Sequence, residues 1–73
     1  MAQIKTFNKT HDDTCAAAEA VCVAAVAAAG TQAAIRAAEI TKYKAFLASD
    51  RANNNGANAS VFIHAIQCLY STP

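Results

Sequence analysis

The chain carries no excess of charge of either sign. Six Lys and Arg stand against five Asp and Glu in 73 residues. That balance removes the basic signature of a polyanion binder and the acidic one of a DNA mimic. Glycine is scarce as well, at two residues. No P-loop, dinucleotide fingerprint, EF-hand loop, CxxC pair or Gly-rich nucleophile elbow is present. The N-terminal stretch MAQIKTFNKTHDD lacks the charged start and apolar core of a signal peptide, so a cytoplasmic location is expected. Without secretion, the sequons Asn8-Lys9-Thr10 and Asn58-Ala59-Ser60 carry no meaning. Large apolar side chains are few, because alanine alone makes up about a quarter of the residues. Alanine burial contributes little beside the roughly 1.5–3 kcal/mol of a buried Leu, Ile or Phe. A chain this short is marginal alone and is usually helped by disulfides, a metal or oligomerisation.

What the sequence has in abundance is the stretch CAAAEAVCVAAVAAA, Cys15 to Ala29. Alanine is the strongest helix former, so the run is read as helix. Its thin side chains also let another backbone approach closely. The three cysteines do not suggest a framework. Cys15 and Cys22 lie seven residues apart, about 10 Å along a helix axis, too far for a disulfide. They are read as small buried thiols in a reducing compartment. Residues 15–35 have the length of a membrane span, but Glu19, Thr31 and Gln32 interrupt them and alanine is a weak lipid seeker, so no membrane is expected.

The expected fold is all-α, a single domain over residues 1–73 with an N-terminal arm (1–10) and an Asn-rich loop (53–59). A short strand around Gln3–Phe7 is conceivable within the arm. Thr10 as N-cap with Asp13 three residues on forms a capping box, placing the first helix start near residue 11. Gly30-Thr31 could close that helix and cap another. Periodicity instead favours one continuous or gently kinked helix to about Ser49, because the stripe Cys15, Cys22, Val26, Ala29, Ala33, Ile40, Leu47 crosses Gly30 in phase. The sequence DRANNNGANAS, Asp50 to Ser60, is the clearest loop. Ser60 can cap a last helix, Val61 to Tyr70, folding back on residues 33–48. The result is a small helical hairpin or three-helix bundle. A second stripe, Val21, Ala24, Ala28, Ile35 and Phe46, lies opposite the first. So short a C-terminal segment cannot cover both, so a homo-oligomer is expected, with Cys15, Cys22, Val26, Ala29 and Ala33 as its contact.

Two pairs at helical spacing, His11 with Cys15 and His64 with Cys68, offer an acceptable tetrahedral zinc set. Within one chain they fall at opposite ends or about 30 Å apart, so no metal is expected unless copies bring them together. Cys15 near a helix N-terminus would gain some thiolate preference, but no oxyanion arrangement accompanies it. The chain is read as no enzyme, with no cofactor. Glu19 is read as a solvated rim residue. Arg36, Lys42, Lys44 and Arg51, with Tyr43 and Phe46 between them, form a basic segment. Arg36, Lys42, Tyr43, Lys44 and Phe46 are the candidate contacts for a partner or ligand, and Phe62 and Tyr70 add aromatic area. The functional expectation is a helical interaction or assembly protein that self-associates or occupies another protein's surface. A phage or mobile-element inhibitor fits that description. The alternative is an oligomeric binder of a nucleotide or other anion in intersubunit pockets, and nucleic acid is the lesser partner reading.

Overall fold

The computed structural model describes residues 8–71. It is all-helical over that range, with three helices: α1 (Lys9–Ala28), α2 (Gln32–Asn53) and α3 (Ala59–Ser71). The helix α2 is the centre. It packs against α1 on one side and α3 on another, and α1 and α3 do not touch. The molecule is elongated, 40 × 23 × 19 Å, its long dimension set by the 22-residue α2, which spans about 33 Å.

The start of α1 corrects the sequence reading. Asn8, not Thr10, is the N-cap. Its side-chain oxygen accepts from the backbone N–H of His11 at 3.1 Å. Thr10 and Asp13 therefore do not form a capping box. Asp13 instead pairs with Lys9 on the exposed face, at 2.9 Å. Asn8 wins because its amide can do two things. The oxygen caps α1 while Nδ2 donates to the carbonyl of Asn53, at 2.7 Å. A threonine hydroxyl two residues later makes neither bond here. The considered strand around Gln3–Phe7 lies outside the described residues.

The continuous helix across Gly30 is also corrected. The α-helix α1 stops at Ala28, Ala29 turns to extended backbone, and Thr31 opens α2 as its N-cap. The Thr31 hydroxyl accepts from Ala34 N–H at 3.1 Å, which satisfies one of the donors a helix start leaves open. Gly30 is not needed for space, since a methyl group there would meet nothing within 4 Å. The break follows from burial and capping. A single rod would leave the Cys22 stripe in water, whereas the reversal buries Cys22 to 7% exposure. The in-phase stripe misled because each half of a hairpin keeps its own inward face.

The second connection is shorter than the sequence suggests. Asp50 to Asn53 belong to α2, and only residues 54–58 form the loop. Asn55 and Gly56 adopt positive φ, 55° and 74°. Such angles cost a glycine little and are tolerated by Asn. Ser60 is not the cap of α3 but lies within its first turn. The Asn58 carbonyl accepts from the N–H groups of Val61 and Phe62, at 3.1 and 3.3 Å. The segment then folds back on α2 as expected.

Candidate functional site

Three regions of the molecule carry chemistry. The first is a polar pole where the start of α1 meets the end of α2. Asp50 is wholly buried, at 0% exposure, and Ser49 nearly so, at 6%. The Asp50 carboxylate accepts from Asn54 Nδ2 at 3.1 Å and from the Asn58 N–H at 3.0 Å. Its backbone carbonyl accepts from the N–H groups of Asn54 and Gly56, at 2.8 and 3.1 Å. One residue thus ties the end of α2 to the whole loop. Beside it, His11 Nδ1 lies 2.8 Å from Ser49 Oγ, and Asn53 Nδ2 donates to the Ser49 hydroxyl and carbonyl, both at 3.2 Å.

Cys15 sits next to His11, with its sulfur 3.6 Å from Nε2 and 3.8 Å from Nδ1. Near-equal distances to both ring nitrogens place the sulfur off the lone-pair line of either. A nucleophile and its base need that line. The surroundings also oppose a thiolate. Burial pushes the Cys15 thiol above its ordinary value, and the carboxylates of Asp12 and Asp50 push it further the same way. The thiolate preference expected from the helix N-terminus is overturned on this point. Alkylation by iodoacetamide is therefore expected to show a Cys15 rate that climbs only above the pH range of an ordinary thiol. A depressed midpoint would contradict the geometry. The linkage has a definite sign. In the unfolded chain this thiol ionises first as pH rises, so its effect is to lower stability through the alkaline range.

The second region is the aromatic face between α2 and α3. Phe46 and Phe62 meet edge to face, with centroids 5.6 Å apart. Tyr43 lies 5.7 Å from Phe46 and 6.5 Å from Phe62. The rings are half-buried and spend their faces on one another. The nearby cations are engaged with them. Lys42 Nζ stands 4.5 Å from the Tyr43 ring centre and 5.7 Å from that of Phe46. Lys44 Nζ stands 5.6 Å from the ring of Tyr70. Arg36 is half-buried on the same helix and Arg51 is exposed in its last turn. The structure thus gathers Lys42, Tyr43 and Phe46 into one cluster and sets Lys44 apart with Tyr70. These residues lock α3 to α2 before they offer anything to a ligand.

The third region is the α1–α2 seam. A groove of about 320 Å³ runs along one side, lined by Ala18, Val21, Cys22, Ala25, Ala38 and Lys42 among others. A second of about 330 Å³ runs along the other, where Glu19, Glu39 and Lys42 bring charge to Val23 and Val26. Cys15, Cys22, Val26 and Ala29 face α2 of their own chain, buried or half-buried, while Ala33 is exposed. Val21 and Val23, which border these two grooves, stay largely open to solvent. They are 66% and 62% exposed, and on α3 Val61 and Tyr70 are 63% and 62% exposed.

The His–Cys pairs are not brought together. His64 Nε2 is 3.5 Å from Cys68 Sγ on α3, and α3 does not reach α1. Among the described residues, no three His, Cys, Asp or Glu side chains form a metal-ligating group. No helix there is long and apolar enough to cross a membrane. Asn8, Ser49 and Asp50 were not visible as site residues from sequence. The only signal was an Asn just ahead of a helix start and an Asp ahead of an Asn run. Comparison of the chain with known protein families, curated proteins and solved structures finds no match.

Proposed function

We propose that this chain is a non-enzymatic helical interaction protein that works by self-association. The observation that supports it is the balance of burial. Among the described residues, Cys22 is the one buried apolar side chain, at 7% exposure, while Val21, Val23, Val61 and Tyr70 remain more than 60% exposed. A domain of this size with so little enclosed apolar surface gains stability by covering it. The alanine-lined surface of α1, bordered by Val21 at one groove and Val23 at the other, suits a second helix at or inside the usual 8–10 Å interaxial distance. Seating that face on another protein would use the same physics.

Light scattering with native mass spectrometry tests the reading. The wild-type chain is expected as a dimer or larger at micromolar concentration, and Val21→Glu with Val23→Glu as a folded monomer. Glutamate is a better helix former than valine, so the variant keeps α1 intact. A folded wild-type monomer at the same concentration overturns the proposal. An oligomer that the double substitution leaves unchanged moves the contact away from α1.

A further inference from the structure

We infer that Asn55-Gly56 is a site of spontaneous amide-to-acid conversion, and that the folded loop holds this conversion in check. Asn55 is exposed and makes no hydrogen bond. The other four asparagines differ in two respects. None precedes a glycine: Asn8 is followed by Lys9, Asn53 by Asn54, Asn54 by Asn55 and Asn58 by Ala59. Three of them have their amide nitrogen tied. Asn8 Nδ2 donates to Asn53 O, Asn53 Nδ2 to Ser49, and Asn54 Nδ2 to Asp50 Oδ1.

The reaction needs only water. The backbone nitrogen of Gly56 loses its proton to base and attacks Cγ of Asn55. The new C–N bond closes a succinimide as the old Cγ–Nδ2 bond breaks, and ammonia leaves with the proton. Water then opens either carbonyl of the ring, giving aspartate or isoaspartate at position 55. A glycine at the attacking position leaves the approach unhindered, because no Cβ crowds the nitrogen.

The folded loop opposes the first step. The Gly56 N–H is already donated to the Asp50 carbonyl, at 3.1 Å, so its proton is harder to remove. Asn58 N–H, held by Asp50 Oδ2 at 3.0 Å, fixes the far side of the loop. Conversion therefore proceeds through openings in which the end of α2 frays. Its product disfavours reclosure. A new anion would stand at the C-terminal end of α2, where the helix dipole repels negative charge, and isoaspartate would lengthen the backbone inside the loop.

The test incubates wild-type protein at mildly alkaline pH, folded and in urea, and maps products by peptide mass spectrometry with enzymatic methylation of isoaspartate. Conversion is expected at Asn55 ahead of every other asparagine, and at least about tenfold faster in urea than in the folded state, as local opening costs of a few kcal/mol imply. In urea, Gly56→Ala is expected to slow it about tenfold, because a Cβ then shields the nitrogen. That arm is read on unfolded chains, so it does not depend on whether the variant folds. Equal rates folded and unfolded would overturn the gating. Earlier conversion at Asn8, Asn53, Asn54 or Asn58 would overturn the site.

Discussion

Replacing Asp50 with alanine is expected to cost about 2–3 kcal/mol of stability. The carboxylate is wholly buried and holds the Asn54 amide and the Asn58 N–H. Losing it removes two charge-assisted bonds and leaves Asn58 N–H without its acceptor. Relief from burying a carboxylate offsets part of this, which is why the figure falls below the sum of two such bonds. For a domain of this length, total stability is on the order of 4–10 kcal/mol, so the variant would lose a large share of it. Urea unfolding followed by far-UV circular dichroism reads the change as a lower midpoint. Asp50→Asn keeps one acceptor oxygen for the Asn58 N–H and is expected to lose about half as much. A midpoint for Asp50→Ala within error of wild type would mean that the backbone bonds alone close the loop.

Phe62→Ala is expected to cost roughly 2 kcal/mol, below the usual core value because the ring is half-buried. Phe62 is the α3 partner of both Tyr43 and Phe46. Its loss leaves those two rings facing water with nothing in its place. The effect should be local. The helix α3 touches α2 and not α1, so detaching it removes no contact from the α1–α2 seam. Hydrogen exchange is the measurement. Amides of α3 should lose protection while those around Cys22 keep theirs. Parallel loss of protection in α1 and α3 would show that the three helices melt as one unit, against this expectation.

These two residues also mark where the sequence was legible and where it was not. The helical class was plain, because alanine propensity and the Cys15–Ala29 run leave little alternative. The Asn-rich turn was plain for the same kind of local reason. Phe62 could be placed on a helix that folds back on α2, but the apolar run around it suggested a buried core helix, and no residue of α3 is buried. Asp50 could not be placed. Its role depends on a helix end and a loop meeting, and local pattern carries no record of that meeting. The choice at Gly30 failed in a related way. Phase continuity is a property of one helix, whereas the reversal is set by what the two halves bury against each other and by the Thr31 cap. Asn8 rather than Thr10 is the N-cap, and its amide also reaches across to the Asn53 carbonyl, a contact that local pattern does not reveal. The basic and aromatic residues on α2 were found by spacing, but their mutual engagement needed α3 in place. Of the cysteines read as small buried thiols, only Cys22 is buried, against its own chain's α2, while Cys15 is half-buried and Cys68 exposed.

The order of contacts has a kinetic meaning. Every interhelical contact here joins neighbours in sequence, α1 with α2 and α2 with α3. No loop longer than a few residues must close before a helix finds its mate. Chains dominated by such short-range pairings reach the native state in roughly microseconds to milliseconds. The fold thus has little time to expose its methyls on the way.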